Sequence, residues 1–392
     1  MQTSKIIFHI DMNCFYASCE IAQNEDLIGK PVVIAHNDPF QRSIIVSPSY
    51  EARKFGIKAT MRINEAFQLC KNIIVVEPNY ELYSYYSNLF KEYLLKITSN
   101  VEMASIDEAF LDVTSICKGA DAIDLAYKIQ KEIYELYKLP TSIGIAPNKL
   151  LAKMASDMKK PMGVTVLRKR EIDKYMWPLP ISDLLGVGKK TLLKMKELNI
   201  NTIGDLANFK DIELLKKELG RANALGLYSR SHGIDNSNIE TEETKASSVS
   251  SAHTFYLDTY DEKIIRDMIK VLSNSISHRL EEDEKICQTI GVQFRYSNGY
   301  TFSRSKGLTN PTNNSYEIYK NAIDVFEDYY DSSMGIRLIG VFANRLINDA
   351  QQIKQISIFD DFEKIDQDEQ INNLVKSVNK IFGEGSIKKG VK

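Results

Sequence analysis

"VEMASIDEAFLDV", residues 101–113, sets two adjacent acids, Asp107 and Glu108, between two short apolar runs. On an extended strand neighbouring side chains point to opposite faces. An unbroken strand would therefore send one carboxylate into a core. A reversal removes the conflict: "VEMAS" and "AFLDV" read as two strands, with the acids at or beside the tight turn between them. There both carboxylates can reach the same side, and Ile106 and Phe110 are the apolar residues expected to bury the hairpin.

Upstream, "KIIFHIDM" (5–12) reads as a buried strand that ends on an acid, Asp11. "NCFYASCEIAQ" has helical spacing, and "KPVVIAH" (30–36) and "RSIIVSPS" (42–49) read as strands. "YEARKFGIK" (50–58) reads as a short helix stopped by Gly56. Leu82, Tyr86, Leu89, Tyr93 and Ile97 mark a helix over 80–97. A helix over 121–137, a strand "TSIGIA", a helix "NKLLAKMASDM" and a strand "GVTVL" follow. With 13–77 set aside as an insertion, the order is strand, helix, strand, strand, helix, strand. That is the ferredoxin-like split βαβ pattern within an α+β multidomain chain; such a fold hosts many functions and defines none.

Residues 168–235 read as helical and carry "LLGVGKKTLLKMKELNINTIGDLANF". Its Gly-x-Gly turn, Gly186 and Gly188, stands between helices with Lys189 and Lys190 beside it. This looks like a helix-hairpin-helix, whose backbone N–H groups can hold a DNA phosphate; an ordinary αα turn is the alternative. Residues 236–250 are polar, lack apolar periodicity and read as a linker. A strand "AHTFYLD", a helix over 260–284, a hairpin "QTIGVQFRYSNGYTFSRSK" closed by Asn298-Gly299, a helix over 315–330 and a strand "GIRLIGVFA" repeat the βαββαβ order. Alternation puts Gln293 and Arg295 on one side of the first hairpin strand and Val292, Phe294 and Tyr296 on the other. Arg304 and Lys306 lie on the next strand. The polar face is expected to follow a DNA backbone, with an affinity that falls steeply with salt.

The total charge of −2 hides a strong division. Residues 141–170 carry +6, 183–231 carry +3 and 286–320 carry +3, against −5 over 349–371. Each run taken singly is equally readable as a solvated face. With 392 residues the chain is expected to hold roughly two to four domains. No apolar run approaches the roughly 18–20 residues that span a bilayer, and "MQTSKIIFHID" lacks a signal peptide's apolar core. The five cysteines show neither a CxxC pair nor regular spacing, which fits a reducing cytoplasm rather than a zinc site or disulfide framework.

In a ferredoxin-like sheet the first strand and the middle hairpin are neighbours, so Asp11, Asp107 and Glu108 are expected to converge. Unpaired, they would raise one another's pKa. Carboxylates without His or Cys suit Mg²⁺, and two such ions about 4 Å apart can hold the attacking and leaving oxygens of a phosphoryl displacement. On composition alone, polar turn residues are an equal reading of Asp107 and Glu108.

"SIDEAF", "DMNCFYASCE", "YEARKFGI" and "NKLLAKMASDMKKPMG" together closely resemble the Y-family DNA polymerases, most nearly the bacterial DNA polymerase IV type. The resemblance runs to about residue 346. It implies a palm (1–12 and 78–167), fingers (13–77), a thumb (168–236), a linker (237–243) and a little finger (244–347), then an acidic tail (348–392). It implies that Asp11, Asp107 and Glu108, with the Met12 backbone carbonyl, hold two Mg²⁺ ions, and that Tyr16 is the steric gate under the incoming sugar. Outside that motif Tyr16 would read as a core aromatic. Tyr50, Arg53 and Lys160, with Ser47, would hold a nucleoside triphosphate, helped by backbone N–H groups near Cys14, Phe15 and Tyr16. Lys153 either approaches this site or covers its own helix. The reaction implied is attack of a primer 3′-OH on the α-phosphate, with bypass of damaged template, low fidelity and no proofreading exonuclease. The chain departs from the family at Cys14 and Cys19, where Ser, Ala or a small apolar residue is commoner, and at Asn199, where Gly is frequent.

"QISIFDD" in the tail resembles the motif by which bacterial polymerases bind the sliding clamp, with Gln355 for a polar spot and Ile358 and Phe359 for an apolar pocket. Residues 367–382 hold an amphipathic stretch with no readable role. The implied partners are primer-template DNA, deoxynucleoside triphosphates and the clamp, in the cytoplasm, with no membrane and a monomer as the default. A palm-fold nucleotidyl cyclase would share the core and the acids but leave the helix-hairpin-helix, the basic hairpin and the tail unexplained. A DNA- and clamp-binding factor without catalysis is opposed by the intact acid triad.

Overall fold

The computed structural model describes residues 5–37, 43–117, 121–242 and 246–349. Its first strand, β1 (Ile7–Met12), is buried along its whole length. Then come α1 (Phe15–Gln23), β2 (Val32–Ile34), β3 (Ser47–Pro48), α2 (Tyr50–Arg53), α3 (Ile63–Leu69), β4 (Ile74–Val76) and α4 (Tyr80–Leu95). β5 (Val101–Met103), β6 (Glu108–Asp112), α5 (Asp121–Tyr137), β7 (Thr141–Ala146), α6 (Lys149–Met158) and β8 (Val164–Val166) follow. The sheet order is β5-β6-β1-β7-β8, with β1 antiparallel to both β6 and β7. This is the expected ferredoxin-like sheet, extended by β8, which α6 returns parallel to β7.

The segment inserted after β1 forms a separate small sheet, β3-β2-β4, over its own core of Val33, Ile45, Ile57 and Ile63. The strand expected over 42–49 shrinks to Ser47–Pro48. Pro48 has no N–H to extend a ladder. α1 does not join this small core. Phe15, Ala17 and Cys19 pack with Tyr83 and Phe90 of α4 against the large sheet.

α6 lies very close to β7, and the reason is Gly144. A Cβ there would run into the Ala152 carbonyl and the Ser156 amide, both backbone groups of α6. Gly144→Ala is therefore expected to push α6 off the sheet and destabilise the protein by about 1–3 kcal/mol. Thermal unfolding measures this, and synthesis should fall with it.

Beyond β8 the chain is helical, with α7 (Ile172–Tyr175), α8 (Lys189–Glu197), α9 (Ile203–Ala207), α10 (Ile212–Leu219) and α11 (Arg221–Ser231). Met195, Ile203, Leu206 and Leu227 share a core with Leu150, Leu151 and Met154 of α6. The Gly-x-Gly turn leads directly into α8, and Gly188 is its N-cap. Before the turn stands a single 3-10 turn, Ile181–Asp183, rather than the expected α-helix. Pro178 and Pro180 disfavour helix at Trp177 and Leu179, the residues before each, which leaves only the five residues 181–185 ahead of the turn at Gly186. Arg230 of α11 donates to the Leu185 carbonyl at 3.0 Å and steadies the turn. Asn199 adopts a left-handed conformation, φ 58°, a geometry Asn tolerates and Gly favours; that accounts for the family's frequent Gly.

The chain divides into two compact units between residues 244 and 245. The second contains β9 (Ser248–Thr259), α12 (Glu262–Glu282), β10 (Lys285–Tyr296), β11 (Thr301–Thr312), α13 (Ser315–Tyr329) and β12 (Ile336–Asn348). β9 begins inside the stretch read as linker. Its small polar residues hide the alternation, but Val249 and Phe255 are buried. The element order repeats the first sheet's, yet the strand order is β11-β10-β12-β9. Here the first strand sits at an edge, with Ser248 opposite Asn344 of β12. Ile265, Ile269, Leu272, Phe294, Phe326 and Ile339 fill the core between this sheet and its two helices.

The β10–β11 hairpin differs from expectation. Asn298-Gly299 does not form a two-residue turn. The Gly299 N–H donates to the Tyr296 carbonyl, and Gly299 alone takes positive φ (86°). This is a three-residue loop ending in a glycine bulge. Arg295 then pairs with Thr301, and Val292 with Arg304.

Candidate active site

The hairpin turn places the acids as the sequence suggested. β5 ends at Met103 and β6 starts at Glu108, so Asp107 is the last turn residue and Glu108 the first of the strand. The Met12 amide donates to the Asp107 carbonyl at 3.0 Å, tying the turn to the end of β1. Glu108 lies directly opposite Asp11 in the β1–β6 register. Phe110 is buried under α6, whereas Ile106 is only half-buried and lines the cleft described below.

One face of α6, with the turn after it, serves these acids. Lys153 Nζ holds Glu108 Oε2 at 2.6 Å. Lys160 Nζ bridges Asp11 and Asp157, each at 2.7 Å. Lys153, one of two readings left open by the sequence, therefore belongs to the site. Burial pushes the Asp11 carboxyl up to about 7, against the pull of Lys160. Burial acts in the same sense on Glu108, but His9 and Lys153 outweigh it and hold that carboxyl well below the usual range. Burial disfavours the Lys160 ammonium, yet Asp11 and Asp157 raise its pKa. Asp107 stands apart from the lysines and accepts from Ser105 Oγ at 2.6 Å.

The three acids are neighbours, but among the described residues no three His, Cys, Asp or Glu side chains are arranged to hold one ion. The Asp11 and Glu108 carboxyls meet each other as well as the lysines, Lys160 and Lys153, that hold them. The donors are all oxygen, and Asp11 is a buried carboxylate only partly compensated by Lys160. A hard divalent cation beside it suits both facts.

Asp11 and Asp107 form one end of a cleft of about 330 Å³. Its walls include Met12, Cys14, Phe15, Tyr16, Ser47, Tyr50, Arg53 and Lys160. Every residue expected to contact a nucleotide therefore lines one cavity; Glu108 stands just outside its wall. Tyr16 stacks on the fully buried Tyr83 at 4.3 Å between centroids and meets Tyr80 edge-on at 6.1 Å. Tyr83 is in turn anchored by its hydroxyl to Glu20 at 2.8 Å. Arg53 lies 4.9 Å over the Tyr50 ring, with its Nε donating to the Pro48 carbonyl at 3.2 Å. Cys14 caps α1 in a left-handed conformation, φ 41°.

Two residues of the site escaped sequence reading. Asn13, buried, accepts from the Met162 amide at 2.8 Å and donates to Ser142 at 3.0 Å, fastening the loop that carries Lys160. His9 lies buried below Glu108. An amide and a histidine between apolar residues give no local signal; only the register of β1 reveals them.

Lys189 and Lys190 are exposed at the start of α8, beside Gly186 and Gly188. In the second unit Arg295 is exposed on the open face of the sheet. Arg304 is not on that face. It pairs with buried Val292 and lies 4.5 Å over Phe302 and 5.8 Å over Tyr329 of α13, while Lys306 bridges Asp324 at 2.6 Å. By this register Arg295 and Arg304 lie on opposite faces of the sheet. Gln355, Ile358 and Phe359 lie outside the described residues. Among the described residues no helix is long and apolar enough to cross a membrane.

An acid-ended cleft on a ferredoxin-like sheet, followed by a Gly-x-Gly turn at a basic helix, is the build of a palm-type nucleotidyltransferase that works on DNA. Residues 10–157 match the impB/mucB/samB family, 246–358 its C-terminal domain, and 182–235 the thumb domain described for DNA polymerase-iota. DNA polymerase IV 1 of Bacillus subtilis (strain 168) is 39% identical over 388 residues, 99% of this chain and 93% of the relative. DNA polymerase IV of Clostridium kluyveri is 36% identical over 395 residues, 98% of each chain. A solved Y-family DNA polymerase chimera superposes with a TM-score of 0.79 at 30% identity, covering 88% of this chain and 99% of its own. The chain belongs to the Y-family DNA polymerases, in the group named DNA polymerase IV. The activity of that group is template-directed DNA synthesis, including synthesis across damaged template.

Proposed function

We propose that the 330 Å³ cleft binds the incoming deoxynucleoside triphosphate and that Asp11, Asp107, Glu108 and the Met12 carbonyl hold two Mg²⁺ ions beside it. The observation that carries this reading is the gathering of both aspartates and all the expected nucleotide contacts around one cavity. The ions, when bound, supply charge stabilisation to the attacking 3′-oxygen and the leaving pyrophosphate. The chain's own residues do the rest. Arg53, kept against Tyr50, offers a planar fork to phosphate oxygens, and Lys160 a mobile point charge. Lys160 already bridges two carboxylates, so it can exchange one of them for a phosphate. Tyr16, fixed by its stack on Tyr83, closes the floor where a ribose 2′-OH would lie. Primer extension with one dNTP, with and without Mg²⁺, tests the reading. Extension that persists in excess chelator would overturn it.

The segments 1–12 and 78–167, 13–77, 168–236 and 244–347 correspond on this reading to palm, fingers, thumb and little finger, with 237–243 as linker. Lys189, Lys190 and the turn at Gly186 and Gly188 would hold backbone phosphates, as would Arg295 on the open sheet face. The enzyme would act in the cytoplasm as a monomer and reach the sliding clamp through Gln355, Ile358 and Phe359. Tethering raises local concentration, so deleting 355–359 should lower clamp-stimulated synthesis by about 10²-fold while sparing clamp-free synthesis. Equal loss of both in a primer-extension assay would refute the clamp role.

A further inference from the structure

His9 stands under the acids in β1, and none of its side chain is exposed. β1 places it between Phe110 of β6 and Gly144 of β7, so the imidazole fills the space below α6. Its Nδ1 lies 2.8 Å from Ser156 Oγ, and its ring is 4.6 Å from that of Phe110. Its Nε2 is buried without a hydrogen-bond partner and faces Glu108 Oε2 at 3.5 Å. None of the steps above uses this group.

We propose that His9 is a positioning residue for Glu108: an imidazole with its proton on Nε2, fixed from behind by Ser156, that aims the carboxylate at the site. The tautomer follows from electrostatics. A bare Nε2 lone pair facing a carboxylate is repelled, whereas an N–H there is attracted. The Ser156 hydroxyl donates to the Lys153 carbonyl at 2.8 Å; turning its single proton to Nδ1 would replace that bond. A small movement of Glu108 completes the bond, as catalytic contacts tighten when ligands arrive. Lys153 holds the same oxygen, but on a flexible four-carbon stem. The histidine, wedged between a strand and a helix, is the rigid partner. This role rests on the reading of Glu108 as a metal ligand.

Leu in place of His9 keeps apolar bulk and removes the donor, while the Gln amide NH₂ can stand where Nε2–H stood. His9→Leu should lose about 10–100-fold in kcat, with KM for dNTP changed by no more than about twofold. His9→Gln should recover most of the loss. Imidazole ¹⁵N spectra of the unmodified protein should show the Nε2–H pattern for the resonance that disappears in His9→Gln; the chain has five histidines to sort. Unchanged kcat in His9→Leu, equal loss in both variants, or an Nδ1–H pattern would each overturn the proposal. If His9→Leu fails to fold, the spectra still decide. Glu108→Gln separates the two readings: full activity there removes the ligand role itself, whereas an inactive Glu108→Gln beside an unimpaired His9→Leu removes only the positioning role.

Discussion

Asp107→Ala is expected to cost about 4 kcal/mol of transition-state stabilisation, roughly a thousandfold in incorporation rate, while primer-template DNA still binds. The variant is a clean test because, among the described residues, the Asp107 side chain is hydrogen-bonded to Ser105 of its own turn, while the bond from Met12 is to the backbone carbonyl and survives the substitution. Its removal leaves no buried charge behind, so the unfolding temperature should hold. Glu108→Ala should lose synthesis to a similar degree but behave differently in the melt. Lys153, half-buried, would lose its partner at 2.6 Å, and the fully buried His9 the carboxylate at 3.5 Å. Leaving such groups unpaired costs about 1–3 kcal/mol. Single-turnover extension, fluorescence anisotropy on DNA and thermal unfolding separate these effects. An Asp107→Ala protein that extends primers at the parent rate would remove the acid from the chemistry.

Tyr16→Ala should admit ribonucleotides. The ring cannot yield, because Tyr83 behind it is wholly buried and stacked at 4.3 Å. Forcing a 2′-OH against such a wall costs about 3 kcal/mol, so removing it should raise the ribo-to-deoxyribonucleotide ratio of kcat/KM roughly a hundredfold. Tyr16→Phe, which keeps the ring, should leave selectivity near the parent's. If both variants discriminate as the parent does, selectivity resides elsewhere.

The acids were legible in the sequence because two of them sit at a strand break and the third ends a buried strand, whereas the cleft residues were legible only through the resemblance of their motifs to the Y-family polymerases. Asp107 and Glu108 sit at a strand break that apolar runs define, and Tyr16, Tyr50 and Arg53 lie on helices entered directly from the sheets. What was not legible depended on register. Reading Asn298-Gly299 as a two-residue turn would have paired Gln293 with Arg304; the three-residue loop pairs Val292 with Arg304 instead. A slip of one residue turns every side chain to the opposite face, and so Arg304 moved from the open face to the helix side. Lys153 and His9 were hidden for a related reason. Their meeting with Glu108 requires α6 to settle on β7 at the place Gly144 allows, a long-range fit that no local pattern encodes.

The edge position of β9 has a consequence for exchange between relatives. Its start lies beside the end of β12, with Ser248 opposite Asn344. Lys285 Nζ grips the Ala246 carbonyl at 2.6 Å, while the Asp349 amide donates to the Glu284 carbonyl at 3.0 Å. Entry and exit are thus neighbours, fastened to the same short stretch of chain. A domain whose two ends meet in this way behaves as a cassette. A relative's domain whose ends are likewise neighbours can be exchanged for it at 246 and 349, and whatever follows residue 349 starts beside the point where the domain began.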